Sequence, residues 1–178
     1  MSGAGASGSR ASGAAAPGPG CVFCAALAEA GETSPPRPSL IVARADTCFV
    51  IVNLYPYNNG HVMVVPNRHI ASLAEASAAE LGEMMTMAQR AEIALTEAYR
   101  PHGLNLGINL GRPAGAGIPG HLHLHVVPRW DGDTNFMTVV GSTRVVPETP
   151  PRTLERLVPI FERLAARARR PAPQGSAP

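Results

Sequence analysis

Three histidines stand at alternating positions within the stretch GIPGHLHLHVVPRW: His121, His123 and His125. Alternate side chains of a β-strand project to the same face, so we expect these imidazoles on one side and Leu122, Leu124 and Val126 on the other. The apolar side can pack into a core. The histidine side has three possible uses at this point: a solvated surface, a His-x-His metal site, or nucleophilic and acid–base chemistry.

The composition indicates a single globular domain. With 178 residues, 45% of them hydrophobic, the chain can bury one core but is short for two domains. Its net charge is only +2, without the basic clustering of a dedicated nucleic-acid-binding protein. The 3 cysteines cannot all pair, which favours a reducing cytoplasm. The sequence shows neither a signal peptide nor an apolar run that could span a bilayer, so we expect no membrane partner.

The two ends differ from the middle in composition. Residues 1–20 are almost entirely Gly, Ala, Ser and Pro, and the tail RARRPAPQGSAP has a similar bias. Such segments have little to bury, so we expect a disordered arm over 1–20 and a disordered tail over 168–178. The folded domain is expected over 21–167.

Apolar, β-branched segments predict strands on both sides of YPYNNG, whose Asn-Gly pair favours a tight turn. The first two strands are expected within 40–54 and 61–66. Two more are expected within 102–111 and 121–128, joined by a glycine-rich loop.

Helices are predicted between and after these strands. Ser77 and Glu80 have the spacing of a capping box at the start of a helix that runs to Tyr99. Its apolar side is expected to comprise Leu81, Met84, Met85, Ala88, Ala91, Ile93, Leu95 and Tyr99. A C-terminal helix is indicated by Leu154, Leu157, Phe161 and Leu164, with Pro159 as a bend or as its start. The order of elements predicts an α+β fold with a mainly antiparallel sheet and two principal helices.

The loop GRPAGAGIPG immediately precedes the first of the three histidines. Glycines allow backbone N–H groups to surround an anion, so the loop can cradle a phosphate; the alternative is an ordinary turn between strands. A neutral imidazole beside a phosphate is a competent nucleophile toward phosphorus. Because His123 is flanked on both sides, it is the best placed of the three for attack.

These motifs resemble those of the histidine triad superfamily of nucleotidyl hydrolases and transferases. HLHLHVV is similar to its signature, NLYPYNNGHVMVVPNRH to its turn and following strand, and NLGINLGRPAGAGIPGH to its strand and glycine loop. HVVPRWDGDTNFM is more particularly similar to the actinobacterial-type diadenosine tetraphosphate phosphorylases within that superfamily.

The resemblance implies roles for individual residues. His123 matches the nucleophile that takes the α-phosphate as a nucleoside-monophosphate adduct, and His125 matches the neighbour that contacts the phosphate and assists the leaving group. Asn53 matches a ribose-binding position, and Trp130 could stack on a base. Other positions implied near sugar or phosphate are His61, Asn109, Gly115, Ala116, Gly117 and Ile118.

The glycine loop departs from that pattern. Many relatives bind phosphate there through Gln, Ser or Thr, whereas this loop offers only Gly, Ala and Ile, and it is one residue longer than in some relatives. Backbone amides would then carry more of the phosphate binding. Arg112 at the start of the loop could assist them, or it could be an ordinary exposed arginine.

The CVFC motif has the spacing of a zinc-binding pair, but two cysteines make only half of a tetrahedral site. In zinc-containing relatives the remaining ligands match His69 and His121, which would make the zinc structural. The alternative is that Cys21 and Cys24 are small buried residues without a metal. Cys48 lies within an apolar strand and is expected in the core.

The resemblance implies cleavage of diadenosine tetraphosphate with inorganic phosphate to ATP and ADP through an AMP–histidine intermediate. A hydrolase of dinucleoside polyphosphates or nucleoside phosphoramidates is the alternative enzyme. A zinc-stabilised nucleotide-binding protein without turnover is the alternative of another class. The expected partners are the dinucleotide and phosphate, with a homodimer or homotetramer as the assembly and no nucleic acid.

Overall fold

The structure is a computed structural model that describes residues 18, 20–30, 39–133 and 148–169. Apart from residues 18, 20, 168 and 169, the expected arm and tail lie outside these ranges. The α-helices of the described residues are α1 (Val22–Glu29), α2 (Ala78–Tyr99) and α3 (Pro150–Ala168). The strands are β1 (Ile41–Arg44), β2 (Cys48–Val52), β3 (Val62–Pro66), β4 (Gly103–Ile108) and β5 (Leu124–Arg129). Short 3₁₀ turns cover Leu73–Glu75 and Arg112–Ala114.

The strands form one sheet in the order β1-β2-β3-β5-β4, and every neighbouring pair is antiparallel. Met63 of β3 pairs with His125 of β5, and Gly107 of β4 pairs with the same histidine from the other side. The predicted α+β class with a mainly antiparallel sheet is therefore confirmed. The histidine strand lies next to the edge strand.

The two faces of the sheet are covered by different helices. One face packs against α2 and α3 through a core that includes Val50, Val64 and Leu124. The opposite face packs against α1 through a smaller cluster that includes Phe23, Phe49 and Met63. Because Met63 and His125 are paired and share a face, the histidines lie on the α1 side.

The segment 40–54 was expected as one strand, but it forms the antiparallel pair β1 and β2. The amide of Ala45 donates to the carbonyl of Cys48 and closes the turn between them. Glu83 of α2 accepts hydrogen bonds from the amide and hydroxyl of Thr47 at 2.6 and 2.5 Å. A carboxylate from the neighbouring helix thus stabilises a turn within an apolar run.

Helix α2 begins as predicted, with a complete capping box between Ser77 and Glu80. Its expected apolar side is wrong at two positions, because Met85 and Ile93 are 58% and 45% exposed. Met87 and Ala94 are buried instead. The true buried face is therefore rotated from the one that the sequence periodicity suggested.

Helix α3 begins at Pro150 and contains Pro159 in its interior, so Pro159 is not its start. Leu157 and Phe161 are buried against the core. Among the described helices, none combines the length and the apolar character that crossing a membrane requires.

Candidate functional site

The three histidines of the HLHLH stretch share one side of the chain, although β5 begins only at Leu124 and not at residue 121 as expected. The amide of Leu122 donates to the carbonyl of Ile70 at 2.6 Å, outside the sheet ladder. Leu122 and Leu124 enter the core beneath α2 and α3. The alternation of side chains is therefore retained without continuous strand pairing.

One ring nitrogen of His123 forms a hydrogen bond within the protein, and the other is available to a substrate. Its Nδ1 lies 2.7 Å from the carbonyl oxygen of His121. A carbonyl oxygen only accepts hydrogen bonds, so Nδ1 carries the proton and donates. In the neutral ring the lone pair then lies on Nε2, which is the form needed for nucleophilic attack. The residue is only 3% exposed.

Two neighbouring rings hold the imidazole of His123. Phe23 of α1 lies 5.2 Å from it between centroids, and His125 lies 4.8 Å away in an edge-on arrangement. Phe23 also contacts the ring of His121 at 5.5 Å. Helix α1 therefore covers both the first and the second histidine of the series.

His61 fixes the orientation of His125. The amide of Tyr57 donates to Nδ1 of His61 at 3.1 Å, so this nitrogen is unprotonated. The proton of the neutral ring is then on Nε2, which donates to Nδ1 of His125 at 2.9 Å. His125 is left with its own proton on Nε2.

His125 is a neutral hydrogen-bond donor at neutral pH. Burial, with a smaller effect from nearby His123, lowers the pKa of His125 to about 4. Since its Nδ1 accepts from His61, its Nε2–H is the group that can donate to a substrate oxygen. The ring of Tyr57 stacks on His125 with centroids 5.8 Å apart and 26° between the planes.

Asn53 has its side chain oriented by the same loop. Its Oδ1 accepts from the amide of Tyr55 at 3.0 Å, which directs Nδ2 toward His61, 3.2 Å from Nδ1 and 3.4 Å from Nε2. A second N–H and a second lone pair stay available on the amide. The predicted ribose-binding residue is thus next to the His61–His125 pair.

The glycine loop uses several of its amides internally. The amides of Gly115 and Ala116 donate to the carbonyls of Arg112 and Gly111. Gly111 and Gly115 have φ values of 81° and 88°, which favour glycine. Among the described residues, the amides of Gly117 and Ile118 have no protein acceptor. These two amides are among those that this loop can offer to an anion.

The other residues expected near the loop are placed as follows. Asn109 Nδ2 donates to the carbonyl of Gly115 at 3.4 Å, so this side chain supports the loop. Arg112 lies in the 3₁₀ turn and is exposed. Trp130 is half-buried in a turn in which its amide donates to Asp133. Residues 134–137 of the HVVPRWDGDTNFM segment lie outside the described ranges.

Cys21, Cys24, His69 and His121 come together at the start of α1, with their ligand atoms all within 4.8 Å of one another. The sulfur of Cys21 lies 3.3 Å from Nδ1 of His121, and the sulfur of Cys24 lies 3.4 Å from Nδ1 of His69. In a tetrahedral zinc site, neighbouring ligand atoms are roughly 3.3 to 3.8 Å apart, given the usual Zn–S and Zn–N bond lengths. The cluster has the dimensions of such a site.

The protonation of His121 also suits a metal ligand. Its Nε2 lies 2.9 Å from the carbonyl of Pro66 and donates to it, which leaves the Nδ1 lone pair directed at the cysteines. Burial, assisted by the neighbouring Cys21, raises the pKa of the Cys24 thiol above its ordinary value. A bound cation would supply the charge that both thiolates need.

Several contributors were not predicted from the sequence. Phe23 stands between the two cysteines of CVFC, and Tyr57 stands in the turn before His61. Their aromatic character was the available signal. Glu80 was predicted only as a helix cap, but it also pairs with Arg68, the residue before His69, at 2.6 Å.

Two further residues are accounted for. Cys48 is fully buried in β2, as expected. His102, just before β4, lies 3.0 Å from the carboxylate of Asp131. This pair is largely exposed and joins the start of β4 to the turn after β5.

Comparisons with known proteins agree with this arrangement. The HIT domain family model matches residues 35–132, more than half of the chain. An AP-4-A phosphorylase of Mycobacterium tuberculosis is 47% identical over 109 residues, which are 61% of this chain and 56% of that protein. An asymmetrical bis(5'-nucleosyl)-tetraphosphatase of Schizosaccharomyces pombe is 31% identical over 107 residues, covering 60% and 58% of the two chains. The chain thus spans little more than half the length of these curated relatives.

A solved structure supports the same assignment. A Zn-bound histidine triad family protein from Mycobacterium smegmatis superimposes with a TM-score of 0.65 at 27% identity, covering 83% of this chain and 97% of that one. The resemblance inferred from the histidine motif is therefore confirmed, and the chain belongs to the HIT family.

Proposed function

We propose that the protein cleaves diadenosine tetraphosphate with inorganic phosphate to give ATP and ADP, within a catalytic unit spanning residues 21–167. The observation that carries this proposal is the complementary protonation of two adjacent histidines. His123 presents a lone pair on Nε2, and His125 presents a proton on Nε2. A nucleophile and a hydrogen-bond donor for the leaving group thus stand side by side.

In the first step, Nε2 of His123 forms a bond to the α-phosphorus, and the bond from that phosphorus to its bridging oxygen breaks. The electron pair leaves with ATP, whose departing oxygen accepts a hydrogen bond from His125. Positive charge develops on the imidazole of His123. The hydrogen bond from its Nδ1 to the carbonyl of His121 stabilises that charge.

In the second step, an oxygen of inorganic phosphate forms a bond to the phosphorus of the adduct. The N–P bond breaks and returns its electron pair to His123, and ADP is released. The free amides of Gly117 and Ile118, with Arg112, support binding of the phosphate groups. Asn53 is proposed to hold a ribose, and Trp130 to stack on a base.

The named activities of the relatives favour this class of substrate. They differ in whether phosphate or water accepts the nucleotidyl group. The mycobacterial relative is named for phosphorolysis of AP-4-A and the yeast relative for asymmetrical cleavage of a bis(5'-nucleosyl)-tetraphosphate. Transfer to water would release AMP in place of ADP, which is the hydrolase alternative. We place the reaction in the cytoplasm, where the cysteines stay reduced.

Product analysis with and without millimolar phosphate tests the proposal. Diadenosine tetraphosphate should yield ATP and ADP when phosphate is present, with little AMP. A yield of AMP that phosphate does not change would support the hydrolase and reject the phosphorylase. A protein that binds the dinucleotide without forming any product would support the binding-protein alternative.

Zinc is the proposed structural metal, held by Cys21, Cys24, His69 and His121. The fit rests on the spacing of the donor atoms and on the hydrogen bond from His121 to Pro66. Four protein ligands leave no open position for a reacting water, so the metal would supply cross-linking between α1 and the sheet and not Lewis-acid chemistry. His121 is then structural, while His123 and His125 are catalytic.

We also propose that the protein forms a homodimer through β4. This strand is at the edge of the sheet, so its outer backbone groups have no strand partner among the described residues. Leu106 on β4 and Leu110 just beyond it are exposed. Antiparallel pairing of β4 with the same strand of a second copy would satisfy these groups by two-fold symmetry.

A further inference from the structure

The turn after β5 is tied directly to the loop that precedes His61. Asp133 accepts a hydrogen bond from Nδ2 of Asn58 at 2.8 Å, and Nδ2 also donates to the carbonyl of Pro128 at 3.0 Å. Asp133 itself is held by Arg129 through two contacts of 2.6 Å. A rigid ion pair at the end of the histidine strand therefore anchors Asn58.

Asn58 is adjacent to the group that sets the protonation of His61. The amide of Tyr57, the preceding residue, donates to Nδ1 of His61. The carbonyl of Asn58 accepts from the amide of His61 at 3.2 Å, which closes the turn. Movement of Asn58 would displace both the Tyr57 amide and the backbone of His61.

We propose that Asn58 and Asp133 are positioning residues that fix which nitrogen of His125 carries its proton. The connection runs from Asp133 to Asn58, to the Tyr57 amide, to His61 and to His125. For its effect on catalysis this inference rests on the proposed function. The protonation of His125 itself is a property of the folded protein and can be measured without substrate.

The Tyr57 amide is the group in this connection that distinguishes between the two ring nitrogens of His61. The side chain of Asn53 also approaches His61, but its Nδ2 is 3.2 Å from Nδ1 and 3.4 Å from Nε2, so it discriminates poorly between the two ring nitrogens. Of the two ring nitrogens of His61, it is Nδ1 that accepts from the Tyr57 amide, at 3.1 Å. Loss of its alignment would therefore allow His61 to adopt its other tautomer, after which Nε2 could not donate to His125.

The anchor stays charged under the conditions in which the protein would act. The guanidinium of Arg129, with the amide of Trp130 and the side chain of Asn58, holds the pKa of Asp133 well below its usual range. An ionised carboxylate is a stronger acceptor for Asn58 than a neutral group. The turn is also attached to β4, because Arg129 donates to Asn105.

The test compares Asn58→Ala with Asn105→Ala in the full-length protein. Both variants lose an amide within the same network, but only Asn58 leads to His61. Side-chain ¹⁵N NMR of His125 reports the tautomer directly. We expect the wild type and Asn105→Ala to carry the proton on Nε2, and Asn58→Ala to show a mixture of both forms.

Asp133→Asn tests the same connection from its other end. Its control is Asp131→Asn, at an exposed residue two positions away. Asp133→Asn should shift the tautomer as Asn58→Ala does, and Asp131→Asn should not. If diadenosine tetraphosphate is the substrate, Asn58→Ala should slow formation of the adduct in proportion to the fraction of His125 that has lost its Nε2 proton, about 2-fold for an equal mixture of the two forms. The KM should change little, because neither residue is assigned to substrate binding.

A wild-type His125 that carries its proton on Nδ1 would overturn the inference. An unchanged His125 tautomer in a folded Asn58→Ala or Asp133→Asn variant would overturn it as well. A shifted tautomer in a protein that does not cleave the dinucleotide would reject the proposed function alone. The wild-type measurement tests the starting tautomer without any variant, and Asp133→Asn, which preserves the shape of the side chain, tests the connection where Asn58→Ala folds poorly.

Discussion

The three histidines of the HLHLH stretch have nearly identical sequence surroundings, yet the ring of His123 carries its proton on a different nitrogen from the other two. His123 donates from Nδ1 to the carbonyl of His121, while His121 donates from Nε2 to the carbonyl of Pro66. His125 accepts at Nδ1 from His61. The sequence motif predicts the shared face, but the tautomers of His121 and His125 depend on Pro66 and His61, which only the fold brings close.

Replacement of His123 is the most direct test of the catalytic assignment. His123→Ala should reduce turnover of diadenosine tetraphosphate by several powers of ten, because the covalent route is removed. Rapid quenching and mass spectrometry should detect a nucleoside-monophosphate adduct on the wild type and none on the variant. His102→Ala, at an exposed histidine, is the matched control and should retain activity. Substantial turnover by His123→Ala would reject the covalent mechanism.

Gly18 is a second position at which a small substitution should have a large effect, because it lies against the ring of His69. A Cβ added there would lie 2.3 Å from Cε1 of His69, far inside contact distance. Gly18→Ala should therefore displace this imidazole and weaken zinc binding, which elemental analysis after dialysis against a chelator would measure. Removal of the metal should also lower the melting temperature of the wild type.

The control for this prediction is Gly82→Ala on α2, where an added Cβ meets no atom within 4 Å. It should retain the metal content of the wild type. Equal metal retention by Gly18→Ala and the wild type would show that His69 is not a required ligand. A fully stable wild type without metal would remove zinc from the proposed structure.

At the scale of elements, the start of α2 is also an electrostatic junction. The carboxylate of Glu80 accepts from the amide and hydroxyl of Ser77 and from the guanidinium of Arg68. The Arg68 hydrogen bond, with those from Ser77, lowers the pKa of Glu80 to about 2. The helix cap thus also positions the residue before His69.

This junction gives a prediction for acid stability. Because the folded pKa of Glu80 is below its unfolded value of 4.5, the ionised form stabilises the fold above that pH, and this stabilisation is lost as the pH falls toward 2. Glu80→Gln should cost about 1–3 kcal/mol of unfolding free energy at neutral pH. The difference from the wild type, measured by urea unfolding, should shrink between pH 4.5 and 2.

Glu155→Gln is the control for this experiment, since Glu155 pairs with Arg152 on an exposed surface of α3. It should leave the unfolding free energy unchanged within measurement. A Glu80→Gln variant that is as stable as the wild type at neutral pH would contradict the assigned role of the cap.

The sequence predicted long, strongly patterned elements better than short ones. Helix α2 carries its own start signal in Ser77 and Glu80, so its first turn could be located without the structure. Helix α1 was not predicted, because it has 8 residues and no side-chain cap. Such a helix is marginal alone, and it depends on the packing of Phe23 against the sheet.

Two other errors have the same physical origin. The β1–β2 turn interrupts an apolar run, and Glu83 on a different element stabilises it. The exposure of Met85 and Ile93 depends on where α2 meets the sheet and α3, which helical periodicity alone does not determine. Local pattern gives the type of an element, whereas its ends and its exact face depend on tertiary partners.

At the scale of the whole molecule, the candidate site combines residues that are far apart in the sequence. The four metal ligands and the two catalytic histidines could be proposed from motif resemblance. Each of these residues lies in CVFC, in NLYPYNNGHVMVVPNRH or in HLHLHVV. The contact between Asn58 and Asp133 spans 75 positions and lies in no motif that links the two. Its prediction required the sheet order, which places β3 beside β5.

The contact between Cys21, at the start of α1, and His121 also has a consequence for the synthesis of the chain in the cell. Cys21 and His121 are 100 positions apart, and a ribosome adds roughly 5 to 20 residues each second. The cysteines are therefore synthesised roughly 5 to 20 seconds before their last histidine partner. Until His121 has been synthesised, the nascent chain can offer only the two thiols and His69 to the cellular redox and metal-buffering systems, so the four-ligand site is incomplete.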